Sequence, residues 1–179
     1  MKILGIDPGT ATTGYGIVEY TAKNEFILVD YGLVSTSKEL PHGQRLDLIY
    51  KGIENLLTKH LPDVVAIERL FFATNALTAI AVGQAIGVIK LAIHHKNVPV
   101  FDYAPMQVKL YVGGSGKADK VLMKSTVKKM LHIHGSKLNE VKDGKQKIRK
   151  TNKTHFDDAA DALALAICHV KKLSMPKKK

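Results

Sequence analysis

The chain has 179 residues, of which 45% are apolar, with 27 Lys+Arg against 16 Asp+Glu and a single cysteine. The apolar content suits one packed domain and excludes a chain disordered throughout. The lone Cys168, inside an apolar run, excludes a disulfide framework and a thiolate metal site, and it fits core packing in a reducing compartment, so a cytoplasmic location is expected. No basic stretch followed by an apolar run and a small-residue cleavage site opens the sequence, so nothing marks it for export. The stretch ALTAIAVGQAIGVIKLAI is barely long enough to span a bilayer and carries Gln84 and Lys90, so it reads as a buried helix instead.

The elements are predicted in this order. Lys2 to Ile6, Gly14 to Tyr20 and Phe26 to Val34 read as strands separated by the turn-prone DPGTATT and TAKNE, which predicts a three-stranded antiparallel meander. Leu46, Ile49, Ile53, Leu56 and Leu57 recur at helical spacing, and DVVAI, Asp63 to Ile67, is a short apolar run of the buried-strand kind. Asn75 to His94 predicts a helix that is apolar nearly all round. Val98 to Tyr103 predicts a strand, Met106 to Val112 a short helix, and Ala118 to His132 a basic amphipathic helix. Residues 134–153 read as a mobile basic loop, a last helix begins near Phe156, and residues 173–179 form a basic tail. The expected fold is α/β, a mixed five-stranded sheet flanked by helices, forming one domain over residues 1–172.

The net charge of +11 is localised. Residues 1–116 hold ten basic and ten acidic side chains, residues 117–153 twelve and three, and residues 154–179 five and three. A segment so rich in Lys, with Lys117, Lys124, Arg149 and Lys150 among its members, suits a polyanion such as DNA, because each phosphate neutralised releases counterions.

Two apolar strands end on carboxylates, Asp7 and Glu68. A carboxylate at the edge of a core is costly unless something offsets its charge. The final helix adds DDAAD, in which Asp158 and Asp161 stand three apart and Asp157 and Asp161 four apart, so that spacing alone permits either pair. Thr154 and Asp157 resemble a capping pair, which would assign Asp157 to the helix start and leave Asp158 and Asp161 for chemistry. Converging carboxylates call for cations, and hard oxygen ligands select Mg²⁺ or Mn²⁺, two of which form a clamp for displacement at phosphorus.

These stretches resemble the RuvC family of Holliday-junction resolvases, within the ribonuclease H-like superfamily. ILGIDPGTATTGYGIV is similar to the family's first-strand motif, AIERLFFATNALTAIAVGQAIGV to its second and DDAADALALAICH to its C-terminal one. The resemblance implies a Mg²⁺-dependent crossover junction endodeoxyribonuclease acting in DNA recombination and repair. Its catalytic and metal-binding acids would be Asp7, Glu68, Asp158 and Asp161, holding two Mg²⁺ for which Mn²⁺ substitutes. Phe71 matches the aromatic that stacks on a base near the junction centre, with Phe72 beside it as the ring for the core. Lys109 and Lys120 match basic positions near the scissile phosphate. The resemblance further implies a homodimer paired near the Asn75 to His94 helix, paired symmetric nicks leaving 5′-phosphate and 3′-hydroxyl ends, and a RuvA–RuvB type branch-migration partner. Leu131 to Phe156 is longer and more basic than the family pattern leads one to expect, and His155 reads as solvent-facing.

Other readings fit part of the sequence. GIDPGTATTG also resembles the phosphate loop of actin and sugar-kinase ATPases, but 179 residues leave no room for the second domain that class needs. GGSGK fails the P-loop pattern, with Tyr111 in place of the first Gly and Ala118 in place of Ser or Thr. A nuclease of this fold acting on an RNA–DNA hybrid, or a junction binder that does not cut, would share many of the same residues.

Overall fold

The computed structural model describes residues 1–69, 76–133 and 153–174, without the side chains of residues 76–78, 153–155, 157 and 158. The chain runs β1 (Lys2–Asp7), β2 (Thr12–Tyr20), β3 (Phe26–Ser35), α1 (His42–His60), β4 (Val64–Glu68), α2 (Ala76–His95), β5 (Val100–Tyr103), α3 (Pro105–Gly113), α4 (Lys120–Met130) and α5 (Lys153–Ser174). Every predicted strand and helix is present, with ends displaced by a few residues.

The sheet order is β3-β2-β1-β4-β5. β1, β2 and β3 form the expected antiparallel meander, while β4 joins β1 and β5 joins β4 in parallel, making the sheet mixed. Side chains alternate across the pleat, so each strand serves two cores. Leu4, Ile6, Ile17, Val65 and Ile67 face α1 and α2 with Ile49, Ile53, Ile89 and Ile93. Ile3, Val18, Val64, Ala66 and Tyr103 face α3, α4 and α5 with Val108, Val127, Phe156 and Leu163.

The same alternation fixes the direction of the two terminal acids. Asp7 follows Ile3 and Gly5 on the α5 face, and Glu68 follows Val64 and Ala66 on that face. β1 and β4 are paired with Ile6 opposite Ile67, so Asp7 and Glu68 lie side by side where the two strands end.

Helix α5 crosses the sheet over a row of minimal side chains. Gly16, Gly5 and Ala66 are lateral neighbours on β2, β1 and β4. A Cβ on Gly5 would come within 1.9 Å of the Ala162 carbonyl oxygen, and one on Gly16 within 2.5 Å of Leu163. The helix answers with Ala159, Ala162 and Ala166, all fully buried.

Two expectations about α5 need correction. The helix starts at Lys153 rather than near Phe156, which places Thr154 inside it instead of at the N-cap and leaves no acidic residue in its first turn. The capping assignment of Asp157 therefore fails, because nothing in KTHF stops the helix extending backwards. At the other end α5 continues to Ser174, two residues into the predicted tail. The predicted basic loop lies outside the described residues up to position 152. Lys153, its last predicted member, opens α5.

Candidate active site

Asp7 and Glu68 hydrogen-bond to each other, with Asp161 of α5 and Lys120 of α4 close enough to act on both. Burial pushes the Glu68 carboxyl up to about 8, helped by the negative charges of Asp7 and Asp161 and opposed by Lys120. Burial also raises Asp7, while the hydrogen bond from Glu68 pulls it down, Asp161 raises it and Lys120 lowers it. Both carboxyls are thus pushed toward the protonated form, as adjacent buried carboxylates are when too little positive charge offsets them.

Small neighbours open the space around the pair. Gly14 is the cross-strand partner of Asp7, so no side chain covers that flank. A cavity of about 310 Å³ opens there between Asp7, Thr12, Gly14, Leu33, Lys120, Lys124 and Asp161. A second, of about 370 Å³, lies on the Glu68 side and is lined by Pro105, Lys109 and Met123 as well as by Asp7, Lys120 and Asp161. The acids occupy the ridge between two openings.

The cations are placed by helix ends. Pro105 opens α3, and Gln107 Oε1 accepts a hydrogen bond from the Ala104 N–H at 3.1 Å, which sets the turn that carries Lys109. Asp119 caps α4 by accepting from the Leu122 N–H at 2.7 Å, so Lys120 stands at the first position of that helix. The loop after Asp7 is held from within: the buried Thr13 donates its hydroxyl to the Gly9 carbonyl at 2.8 Å.

Of the residues singled out from sequence, Asp7, Glu68, Asp161, Lys109, Lys120 and Lys124 therefore converge, while Lys117 is exposed in the turn before α4. Asp158 lies one turn before Asp161 on α5, and its side chain is outside the described residues, as is that of His155. Phe71, Arg149 and Lys150 also lie outside them. Sequence reasoning missed Thr12, Gly14 and Leu33. Their only sequence signal is that Thr12 and Gly14 follow the Asp7 turn directly.

The donor set fits a divalent cation: carboxylate oxygens, partly buried and pushed toward protonation, whose ionised form a cation would favour. Among the described residues, no three His, Cys, Asp or Glu side chains close around one position. Among the described residues no helix is long and apolar enough to cross a membrane.

Comparison with known proteins identifies the family. The family model for crossover junction endodeoxyribonuclease RuvC matches residues 3–169. The crossover junction endodeoxyribonuclease RuvC of Fusobacterium nucleatum is 43% identical over 173 residues, covering 97% of this chain and 82% of that protein. The same enzyme of Clostridioides difficile is 44% identical over 169 residues, covering 94% and 89%. Among solved structures, Thermus thermophilus RuvC in complex with a Holliday junction substrate superposes with a TM-score of 0.80 at 30% identity, over 97% of this chain and 94% of that one. The fold is ribonuclease H-like, the nucleases of this group are metal-dependent, and the chain belongs to the RuvC family of crossover junction endodeoxyribonucleases.

Proposed function

We propose that the chain resolves four-way DNA junctions by hydrolysing two symmetry-related phosphodiester bonds, leaving 5′-phosphate and 3′-hydroxyl ends. The observation that carries this reading is the meeting of Asp7, Glu68 and Asp161 at the end of β1 and β4, between Lys109, Lys120 and Lys124. Asp7, Glu68, Asp158 and Asp161 would hold two Mg²⁺, with Mn²⁺ as a substitute. The ions supply charge neutralisation at phosphorus and an activated water. Asp7 and Glu68, both raised by burial, would be ionised by cations held there. Lys120, already offsetting both acids, faces the charge that develops on the phosphoryl oxygens, and Lys109 does so from the second cavity.

Paired nicks need two such sites. α2 leaves Ile80 (59% exposed) and Leu91 (47%) uncovered, with Gln84 and Gly87 exposed between them, along one face of the helix. A two-fold homodimer through this face would present two sites to the two continuous strands of a junction. Phe71 would stack on a base at the junction centre, and Lys117, Arg149 and Lys150 would meet backbone phosphates. The enzyme would act in the cytoplasm as one nuclease domain over residues 1–172, on junctions supplied by a RuvA–RuvB type complex.

The test is cleavage of a labelled mobile four-way junction beside a linear duplex and an RNA–DNA hybrid, with and without Mg²⁺, and with Asp7→Asn. Symmetric nicks confined to the junction, dependent on Mg²⁺ and absent in the variant, are expected. Preferential hybrid cleavage, or tight junction binding without cutting, would overturn the assignment.

A further inference from the structure

The two cavities are not equivalent. Both contain Asp7, Lys120 and Asp161, but the one on the Glu68 side holds Lys109, whereas the one on the β2–β3 side holds Lys124 and Thr12 over Leu33. Three lysines thus line the site in sequence, Lys109 on one flank, Lys120 beside the acids and Lys124 on the other flank.

The spacing of the last two is set by their helix. Lys120 and Lys124 are one turn apart, about 6 Å along α4, on the same face. That is comparable to the step between successive phosphates on one strand. Lys128 is the next in the row, but its ammonium lies 5.0 Å from the centre of the Phe156 ring, turned to the core side of the helix. The track along the cavity therefore ends at Lys124.

The Thr12 side of the cavity is held rigid. Thr36 donates its backbone N–H to Ala11 O at 2.9 Å and its hydroxyl to Thr10 O at 2.6 Å, and Arg45 Nε donates to Thr36 Oγ1 at 2.9 Å. Thr12 itself is paired with Ser35 at the start of β2. Thr12 and Lys124, on separate elements, thus line one concave space together with Leu33.

We propose that the β2–β3 side cavity is a subsite for the phosphodiester group next to the scissile one, gripped by the Lys124 ammonium and the Thr12 hydroxyl, with the intervening sugar against Leu33. The inference rests on the reading of the acids as the cleavage site and adds to it a fixed register of the strand. The cleaved strand enters or leaves over β2 and β3, and an uncharged linkage at that one position loses its hold.

A methylphosphonate scan tests this. Junctions carrying one neutral methylphosphonate at each of the linkages around the cleavage position are bound, in chelator, by the wild-type chain, Lys124→Met and Thr12→Val, with single-turnover cleavage measured in parallel. One flanking linkage is expected to weaken wild-type binding about tenfold when neutralised, and Lys124→Met to weaken binding of the unmodified junction by a similar factor while becoming insensitive to that linkage alone. The salt slope of Lys124→Met is expected to fall by about 0.9. Thr12→Val is expected to cost severalfold at the same linkage. Additive losses for enzyme and substrate changes at every position, or wild-type binding and slope in Lys124→Met, would overturn the subsite. A wild-type chain that binds but never cuts would sink the nuclease reading and still leave the binding cycle to decide the subsite.

Discussion

Replacing Gly5 with alanine tests the link between packing and chemistry most directly. The added Cβ would sit 1.9 Å from the Ala162 carbonyl oxygen, 2.9 Å from its carbon and 3.0 Å from the Ala166 nitrogen, and all three atoms are α5 backbone. Restoring an ordinary 3.4 Å contact requires α5 to retreat by about 1.5 Å, since backbone has no rotamer with which to give way. Overpacking of a close-packed core costs roughly 1 to 3 kcal/mol, and this position belongs at the upper end because the helix lies against four strands. At about 3 kcal/mol the melting temperature should fall by roughly 6 to 12 °C. The same retreat draws Asp161 away from Asp7 and Glu68, and displacement on the order of 1 Å at a reacting centre costs about 100-fold in rate. Thermal melts and single-turnover junction cleavage, run beside Gly43→Ala, separate these effects. A Cβ at Gly43 meets nothing within 4 Å, so this control should melt at or slightly above the wild-type temperature and retain full activity. A Gly5→Ala chain that melts like wild type and cleaves at the wild-type rate would refute the close-approach account.

Three more outcomes follow from particular side chains. Glu68, with its folded-state value raised from 4.5 to about 8, binds a proton in the folded chain that the unfolded chain has released, so in chelator stability should fall as pH rises from about 4.5 to 8; Mg²⁺ should narrow the fall, and a melting temperature in chelator that rises over this range, or a slope unchanged in Glu68→Gln, would count against it. Tyr103→Phe leaves the buried His169 Nδ1 without the hydroxyl that now lies 2.8 Å away, at a cost of about 1 to 3 kcal/mol read by denaturant titration, while cleavage at permissive temperature persists. Neutralising Lys145, Lys147, Arg149 and Lys150 together should raise the dissociation constant for junctions and flatten its salt slope by about 0.9 for each phosphate that these side chains neutralise, and an unchanged slope would remove this segment from the interface.

Much of the fold was legible because it is written in periodicity. Strand runs such as Lys2 to Ile6 and the helical recurrence of Ile49, Ile53 and Leu56 survive without knowledge of their neighbours. The pairing of Asp7 with Glu68 was also accessible, since two apolar runs each ended on a carboxylate and β1 and β4 are the kind of buried strands that lie together. What the sequence hid depends on register. Gly5 and Gly16 carry no pattern of their own, and only their position opposite each other, beneath Ala162 and Leu163, shows that they set the depth of α5. Thr12 and Leu33 share a cavity because β2 and β3 are paired, although 21 residues separate them in the chain. The capping assignment at Thr154 failed for a local reason: a cap is legible only where the preceding residues refuse the helix, and Lys153 does not.

The site joins two costs that cancel where they meet. As carboxylates Asp7 and Glu68 would repel each other, and β1–β4 pairing and their mutual hydrogen bond keep them side by side, while Lys120 and Lys124 are like charges one turn apart on α4. Setting Lys120 over the acids lowers both carboxyls toward their ionised state, so the positive row is anchored at the end where cleavage would occur, and Lys124 carries it one turn further from the acids. α5 then holds Asp161 against the same ridge through the buried Ala159, Ala162 and Ala166, whose short side chains let its backbone approach Gly5 closely. A substitution that relaxes this fit should therefore affect cleavage before junction binding, because the lysines reside on a different helix from the acid that moves.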